Sequence, residues 1–211
     1  MSVDKDTLVL FRFQNGIQKD ECGHVWTSTN IQETSKNTKS GFGITTNSRD
    51  GRLYCENPGF CIGGADFTID YWLYDVHNGG GYRTHFSLGF GGGFWDIFID
   101  CLMPNTSATT YNLRCNSYTF TAFTFPGIFA SLKHYAFVYE HTKKIITMYV
   151  DGKENVSRSV EIARRNVANI TLLNHSGGDN IADTGAVMSA FRISNCARWT
   201  SNFDAGGANV A

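Results

Sequence analysis

Apolar and polar residues alternate with a period of two along much of this chain. Asp66, Thr68, Asp70 and Trp72, for example, share one face of an extended segment. Helical spacing is not sustained over any stretch, and because strand side chains alternate between two faces, the pattern predicts β-strands. The predicted strands are Thr7–Phe13, Gly43–Thr46, Arg52–Glu56, Phe67–Tyr74, Thr84–Gly89, Trp95–Leu102, Tyr111–Cys115, Ser117–Phe123, Lys133–Glu140, Ile145–Asp151, Ile170–Asn174 and Ala186–Ser194.

Short glycine-rich or polar segments separate the predicted strands. Residues 78–81, 91–93 and 176–179 are rich in glycine, which adopts positive φ without steric cost and so favours tight turns. The clearest hairpin joins Lys133–Glu140 to Ile145–Asp151 through four polar residues and closes with Asp151-Gly152. Only Val160–Arg165 favours a short helix. These features predict an all-β antiparallel sandwich.

Four segments carry a resemblance to a known superfamily: 66–74, 134–139, 148–153 and 191–203. In sequence and order they resemble the concanavalin A-like lectin/glucanase superfamily, and within it the laminin-G-like branch found in phage virion and bacterial surface proteins. The resemblance implies one antiparallel jelly-roll β-sandwich. No linker-like composition interrupts the chain, so we expect a single domain over residues 1–211, with its core at about 7–203 and short terminal arms.

Charge and composition exclude several classes of function. Lys and Arg number 18 against 19 Asp and Glu, and the basic residues are scattered, which disfavours a nucleic-acid partner. No apolar run is long enough to insert in a membrane, and the N-terminus lacks the pattern of a secretory signal. We therefore expect synthesis in a cytoplasm and six free cysteine thiols rather than disulfides or a zinc site.

The predicted strand that begins at Trp95 holds three candidate binding residues. Asp96, Phe98 and Asp100 share the face opposite Ile97 and Ile99. Glucanases of the resembled superfamily carry three acids at this spacing with Glu at the outer positions, whereas here Phe98 replaces the middle acid and both outer residues are Asp. Two solvated acids on an outer sheet face, or a carbohydrate contact, therefore explain the pattern better than hydrolysis.

Two glycine-rich loops supply further candidates for ligand binding. His77, Asn78 and Tyr82 lie in the first loop and Phe94 in the second. Sugars bind through their apolar ring faces on aromatic side chains, with a few polar groups fixing the hydroxyls, so these four residues are candidate glycan contacts. The alternative is that both loops only turn the chain.

No cofactor is expected, and calcium is the metal for which the sequence offers oxygen ligands. Asp179 and Asp183, with Asn180 between them, place oxygen ligands at loop-like spacing. Relatives in the resembled family often hold calcium at the sandwich rim. A calcium site at these two carboxylates stays the open alternative to a chain without cofactor.

These observations predict a non-catalytic, lectin-like module of a bacteriophage virion, as a capsid decoration or a tail adhesion protein. Its expected partners are host or environmental glycans and other virion proteins, as a homo-oligomer or docked on a larger assembly that orders its terminal arms. The protein would be made in the host cytoplasm without a signal peptide and localised to the virion. A purely structural virion protein is the alternative, and a glycoside hydrolase is less favoured.

Overall fold

The computed structural model describes residues 1–76, 83–89, 97–103, 110–116, 121–174 and 184–206; the side chains of residues 97, 98, 102 and 103 are not part of that description. These residues form strands, turns and irregular segments, with no helix among them. The strands are β1 (Thr7–Phe11), β2 (Thr27–Thr29), β3 (Gln32–Thr34), β4 (Gly43–Thr45), β5 (Arg52–Glu56), β6 (Cys61–Ile62), β7 (Phe67–Tyr74), β8 (Arg83–Gly89), β9 (Ile97–Met103), β10 (Thr110–Cys115), β11 (Thr121–Pro126), β12 (Leu132–Glu140), β13 (Ile145–Val150), β14 (Lys153–Ser159), β15 (Arg165–Asn166), β16 (Asn169–Leu172) and β17 (Val187–Ser194).

Two antiparallel sheets pack face to face, as the alternation predicts. An eight-stranded sheet runs β14-β13-β12-β7-β17-β4-β3, with β1 also paired to β17, and a seven-stranded sheet runs β11-β10-β9-β8-β16-β5-β2. Strands β6 and β15 form a separate pair. Aromatic rings from the two sheets pack together in the core. The ring centroid of Phe86, in the seven-stranded sheet, lies 5.6 Å from that of Tyr71 and 6.0 Å from that of Phe137, both in the other sheet. The predicted all-β antiparallel sandwich is confirmed.

Several predicted elements have the expected bounds. Strands β5 and β7 begin and end where the alternation begins and ends. The predicted hairpin is present as β12 and β13, which pair from Tyr135 opposite Val150 to Glu140 opposite Ile145. Asp151 and Gly152 both adopt positive φ, 49° and 78°, in the turn that leads into β14.

Other predictions were wrong, each for a visible reason. No helix forms over Val160–Arg165, because Val160 and Ile162 are buried while the residues between and after them are exposed, which is a period of two. The strand predicted at Ser117–Phe123 is observed at Thr121–Pro126, and residues 117–120 lie outside the description. Five short or polar strands were not predicted, because few of their side chains enter the core: β2, β3, β6, β14 and β15.

The terminal arms are held by contacts within the chain. Met1 is 2% exposed and packs in a cluster with Trp72 and Ala205. Near the other end, Trp199 stacks on Phe203 at 4.0 Å, and the Phe203 amide donates to the Gly152 carbonyl at 2.8 Å. The expectation that neighbouring molecules order the arms is therefore corrected for residues 1–6 and 195–206, while residues 207–211 lie outside the description.

Candidate functional site

The outer face of the eight-stranded sheet is closed by the chain itself. The carboxylate of Asp70 is fully buried there and accepts hydrogen bonds from the Arg192 guanidinium at 2.8 and 3.1 Å, with His134 Nε2 at 3.2 Å. Burial would raise the pKa of Asp70, but the charge of Arg192 and the contacts with His134 outweigh it and hold the pKa below its usual value. Trp199 and Phe203 lie edge-on to His134. This charged cluster is therefore structural.

The outer face of the seven-stranded sheet carries a row of polar residues instead. The neighbouring row faces the core and is apolar, with Phe86 and Leu113 both fully buried. Cross-strand pairing places one polar side chain on every strand at the same level. We call this set the outer-face row; from β11 to β2 it consists of Thr121, Arg114, Asp100, Ser87, Thr171, Tyr54 and Thr27.

A buried ion pair lies in the middle of the outer-face row. Asp100 is fully buried and Arg114 is 6% exposed. Arg114 Nε donates to Asp100 Oδ1 at 2.7 Å, and Arg114 Nη2 donates to the other carboxylate oxygen. Burial raises the pKa of Asp100, and the hydrogen bonds and charge of Arg114 oppose that rise without cancelling it. The expectation of a solvated Asp100 is thus wrong, because the sheet places an arginine directly opposite it.

Four polar atoms near the centre of this face are buried without a hydrogen-bond partner. They are the hydroxyl oxygens of Thr84, Ser87 and Thr171 and the side-chain carbonyl oxygen of Asn169. Asn169 lies over Gly89, where a Cβ would come within 2.5 Å of that oxygen. Buried polar groups are rarely unpaired, so we expect internal water to bond these four atoms, which solvent does not reach.

The row opens to solvent at the β2–β5 end. Tyr54 is half-buried, and the Arg52 guanidinium lies 5.7 Å from its ring centroid. Glu56 and Thr27 are exposed beside it. Burial, followed by the charge of Glu56, raises the pKa of the Tyr54 hydroxyl, which therefore stays protonated and able to donate at neutral pH. An aromatic ring flanked by a cation, an anion and a hydroxyl is the kind of surface that binds polar ligands with apolar faces.

Sequence reasoning missed this open end, although a signal was present. In β5, Arg52, Tyr54 and Glu56 alternate with buried Leu53 and Cys55. The same alternation predicted the candidate residues of β9, and in β5 it places the half-buried Tyr54 between two charged side chains. The missing information was which strand of the sheet has its outer face accessible.

The other predicted site residues cannot be placed. His77, Asn78, Tyr82, Phe94, Asp96, Asp179 and Asp183 lie outside the described residues. Phe98 belongs to β9, but its side chain is not described. Their roles in glycan or calcium binding stay predictions.

Metal-binding groups and membrane-spanning helices are both absent from the described residues. Within them, no three His, Cys, Asp or Glu side chains come together in a group able to hold a metal ion. The same part of the chain contains no helix with the length and apolar character needed to cross a membrane. All six cysteines are free thiols.

Comparisons with known proteins find similarity among solved structures. No protein-family model matches the chain, and neither does any curated protein sequence. Domain 4 of AbnA, a GH43 extracellular arabinanase from Geobacillus stearothermophilus solved with arabinotriose, is 17% identical with a TM-score of 0.68, over 91% of this chain and 93% of that domain.

Two larger proteins are also similar in structure. The ligand-binding domain of botulinum neurotoxin serotype D, solved with N-acetylneuraminic acid, is 10% identical with a TM-score of 0.61, over 91% of this chain and 48% of that one. The Trypanosoma rangeli sialidase with sialic acid is 10% identical with a TM-score of 0.65, over 90% of this chain and 30% of the sialidase. This chain thus spans about half or less of these two proteins. At such identities the likeness establishes a β-sandwich fold and nothing further.

Proposed function

We propose that the protein is a non-catalytic, lectin-like module that binds saccharides on the outer face of its seven-stranded sheet. The observation that carries the proposal is the accessible end of the outer-face row, where the half-buried Tyr54 lies beside Arg52 and the exposed Glu56 and Thr27. The fold likeness to an arabinanase domain solved with arabinotriose supports it, because that domain and this chain match over nearly their whole lengths.

The open end of the row suits a sugar ring in contact with Tyr54. The apolar face of the ring would stack on the tyrosine, while Arg52 donates to ring hydroxyls and Glu56 accepts from them. Arg52 and Glu56 carry opposite charges, so the surface beside Tyr54 has no excess of either sign. That balance favours neutral saccharides over acidic ones.

The proposal of a non-catalytic role is supported by the state of Asp100. A retaining glycosidase needs two carboxyl groups about 5–5.5 Å apart that reach the glycosidic bond. Asp100 is buried and held by both donors of Arg114, so its lone pairs are engaged away from solvent. We expect no release of reducing sugar when the protein is incubated with arabinan, xylan or starch. Turnover that disappears in Asp100→Asn would contradict this.

The binding proposal is tested on a glycan array that includes neutral oligosaccharides and sialylated ones. We expect binding to neutral glycans, and about tenfold weaker binding after Tyr54→Ala, since stacking on an aromatic ring contributes roughly 1 kcal/mol beyond area burial. Tyr74→Ala is the matched control, because Tyr74 is also half-buried but lies at the end of β7 in the other sheet. Equal affinity of both variants would place the binding surface elsewhere.

A location on a bacteriophage virion remains a separate proposal. Six free cysteines suit folding in a reducing compartment, and the resemblance to the laminin-G-like branch points in the same direction. Mass spectrometry of purified particles tests it, and absence of the protein from particles would refute it. A purely structural virion role would be favoured instead if Tyr54→Ala left attachment to host polysaccharide unchanged.

A further inference from the structure

A cleft opens where two strands share one edge of β17. Strand β1 pairs with Phe191–Ser194 and β4 pairs with Val187–Met188, so the two strands lie end to end with a gap between them. The chain diverges on both sides of this gap, after Phe11 and before Gly43. Two cavities of about 280 and 250 Å³ lie there. We call them together the edge cleft; residues 11–16 and 19–21 line one cavity and residues 33–35 and 41–43 line the other.

Phe13 lies between the two cavities and belongs to the lining of both. Its backbone has φ of 58°, a conformation rare for a bulky residue that costs about 1–3 kcal/mol and tends to persist at functional sites. Phe13 is 4% exposed, and its ring stacks on that of Phe11 with 4.8 Å between the centroids. The ring of Trp26 packs edge-on against Phe11, with 5.0 Å between the centroids. The base of the cleft is therefore aromatic and closely packed.

The wall of the cleft presents an exposed aromatic ring beside an unengaged carboxylate. Phe42 is 44% exposed, and it is the one aromatic residue among the three large apolar side chains that the described residues leave exposed. Glu33 lines the same cavity as Phe42, and its Oε1 lies 4.0 Å from the Cβ position of Gly16 in the other cavity. No donor among the described residues bonds to the Glu33 carboxylate, which leaves it available at the junction of the two cavities.

The charges around the cleft favour a neutral ligand. Arg12 is engaged by Glu21 through its Nε and Nη2 atoms. Asp20 accepts from two backbone amides and pairs with His24 at 2.7 Å, on the far side of the first cavity. Two cations, Arg12 and Lys19, and three anions, Asp20, Glu21 and Glu33, line the cleft. Its net charge is therefore one negative charge at most, which the protonated ring of His24 beside Asp20 offsets, and such a cleft does not favour an anionic ligand.

We infer that the edge cleft is a second binding subsite, for one ring of a neutral saccharide. The ring stacks on Phe42, and its hydroxyls donate to Glu33 and bond the exposed amides of Gln14 and Asn15. Each cavity is close to the lower end of the size range of small-molecule sites, roughly 300 Å³. This inference rests on the proposed function, and it adds a subsite on the side of the sandwich where β2 and β3 are joined.

The two subsites can be separated by nuclear magnetic resonance on the full 23.4 kDa chain. Amide shifts would be followed during titration with arabinotriose, cellotriose, maltotriose and, as the acidic probe, 3′-sialyllactose. We expect at least one neutral trisaccharide to shift amides in 12–16 and 33–43. Phe42→Ala should weaken that binding about tenfold and Glu33→Gln about fivefold, since a hydrogen bond to a charged acceptor is worth more than one to a neutral acceptor.

The experiment includes a control variant and has three outcomes that would contradict the inference. Val3→Ala also truncates an exposed apolar residue, 51% exposed, and should bind as the parent protein does. Shifts confined to residues 27 and 52–56, unchanged by Phe42→Ala, would overturn the edge cleft while keeping the proposed function. Stronger cleft shifts with 3′-sialyllactose would overturn the neutral class. No shift with any probe would overturn the proposed function and this inference together.

Discussion

Replacing Asp100 by Asn removes one charge from the buried pair in the outer-face row. The side chains of Asp100 and Arg114 are 0% and 7% exposed, so Arg114 would keep its charge in a site with little access to water. Breaking a buried ion pair by removing one partner costs about 3–5 kcal/mol, and because an Asn oxygen can still accept one bond we expect about 3 kcal/mol.

The measurement is urea unfolding at pH 7, with the free energy of unfolding obtained by linear extrapolation. Arg114→Met and the double variant complete a double-mutant cycle, for which we expect a coupling energy of roughly 1.5–3 kcal/mol. Glu161→Gln serves as the control, because its ion pair with Lys144 is exposed and should not alter stability measurably.

Two results would contradict the structural role of Asp100. If Asp100→Asn unfolds like the parent protein but loses saccharide binding, the carboxylate contacts ligand and the assignment from burial is wrong. A coupling energy near zero would show that the pairing with Arg114 does not contribute to the stability of the sheet.

Further predictions concern the turn at Gly152 and the buried His85. Gly152→Ala should lower the melting temperature far more than Gly59→Ala: both have φ near 80°, but only at Gly152 would a Cβ meet a backbone atom, the Phe203 carbonyl oxygen at 1.9 Å. Burial, with the charge of Arg83, lowers the pKa of His85 to about 3, so the unfolded chain binds a proton that the folded chain does not. The free energy of unfolding should therefore fall by about 3 kcal/mol from pH 6.5 to 4. In His85→Gln the free energy of unfolding, measured with urea at several pH values, should change less over this range. The same pH dependence in the variant and the parent protein would contradict the prediction.

Much of the fold could be predicted from local pattern. The alternation in Phe67–Tyr74 and Arg52–Glu56 predicted both strands, and in Arg52–Glu56 a one-residue slip would have moved the buried Leu53 and Cys55 to the outer side. Strands such as Lys153–Ser159 escaped prediction because they pair at an edge and bury little. The terminal arms also escaped, because Met1 and Phe203 are ordered by residues far away in the sequence.

The exposure of the candidate site residues could not be predicted from the sequence. Alternation correctly separated Asp100 from the core-facing Ile99 and Cys101, but the side of a strand does not determine its exposure. Exposure also depends on which residues of the neighbouring strands lie opposite. Arg114 pairs with Asp100 across β9 and β10, so the carboxylate that was predicted to be solvated belongs to a buried ion pair.

The sequence by itself determined the all-β class, the main strands and the side of each strand that enters the core, because these follow from the two-residue period of the backbone. Only the tertiary structure decided that the outer-face row is buried at its centre and accessible beside Tyr54, that the arms close the outer face of the other sheet, and that Phe42 and Glu33 line one cavity. Those outcomes depend on contacts between residues distant in the chain, and local pattern carries no information about them.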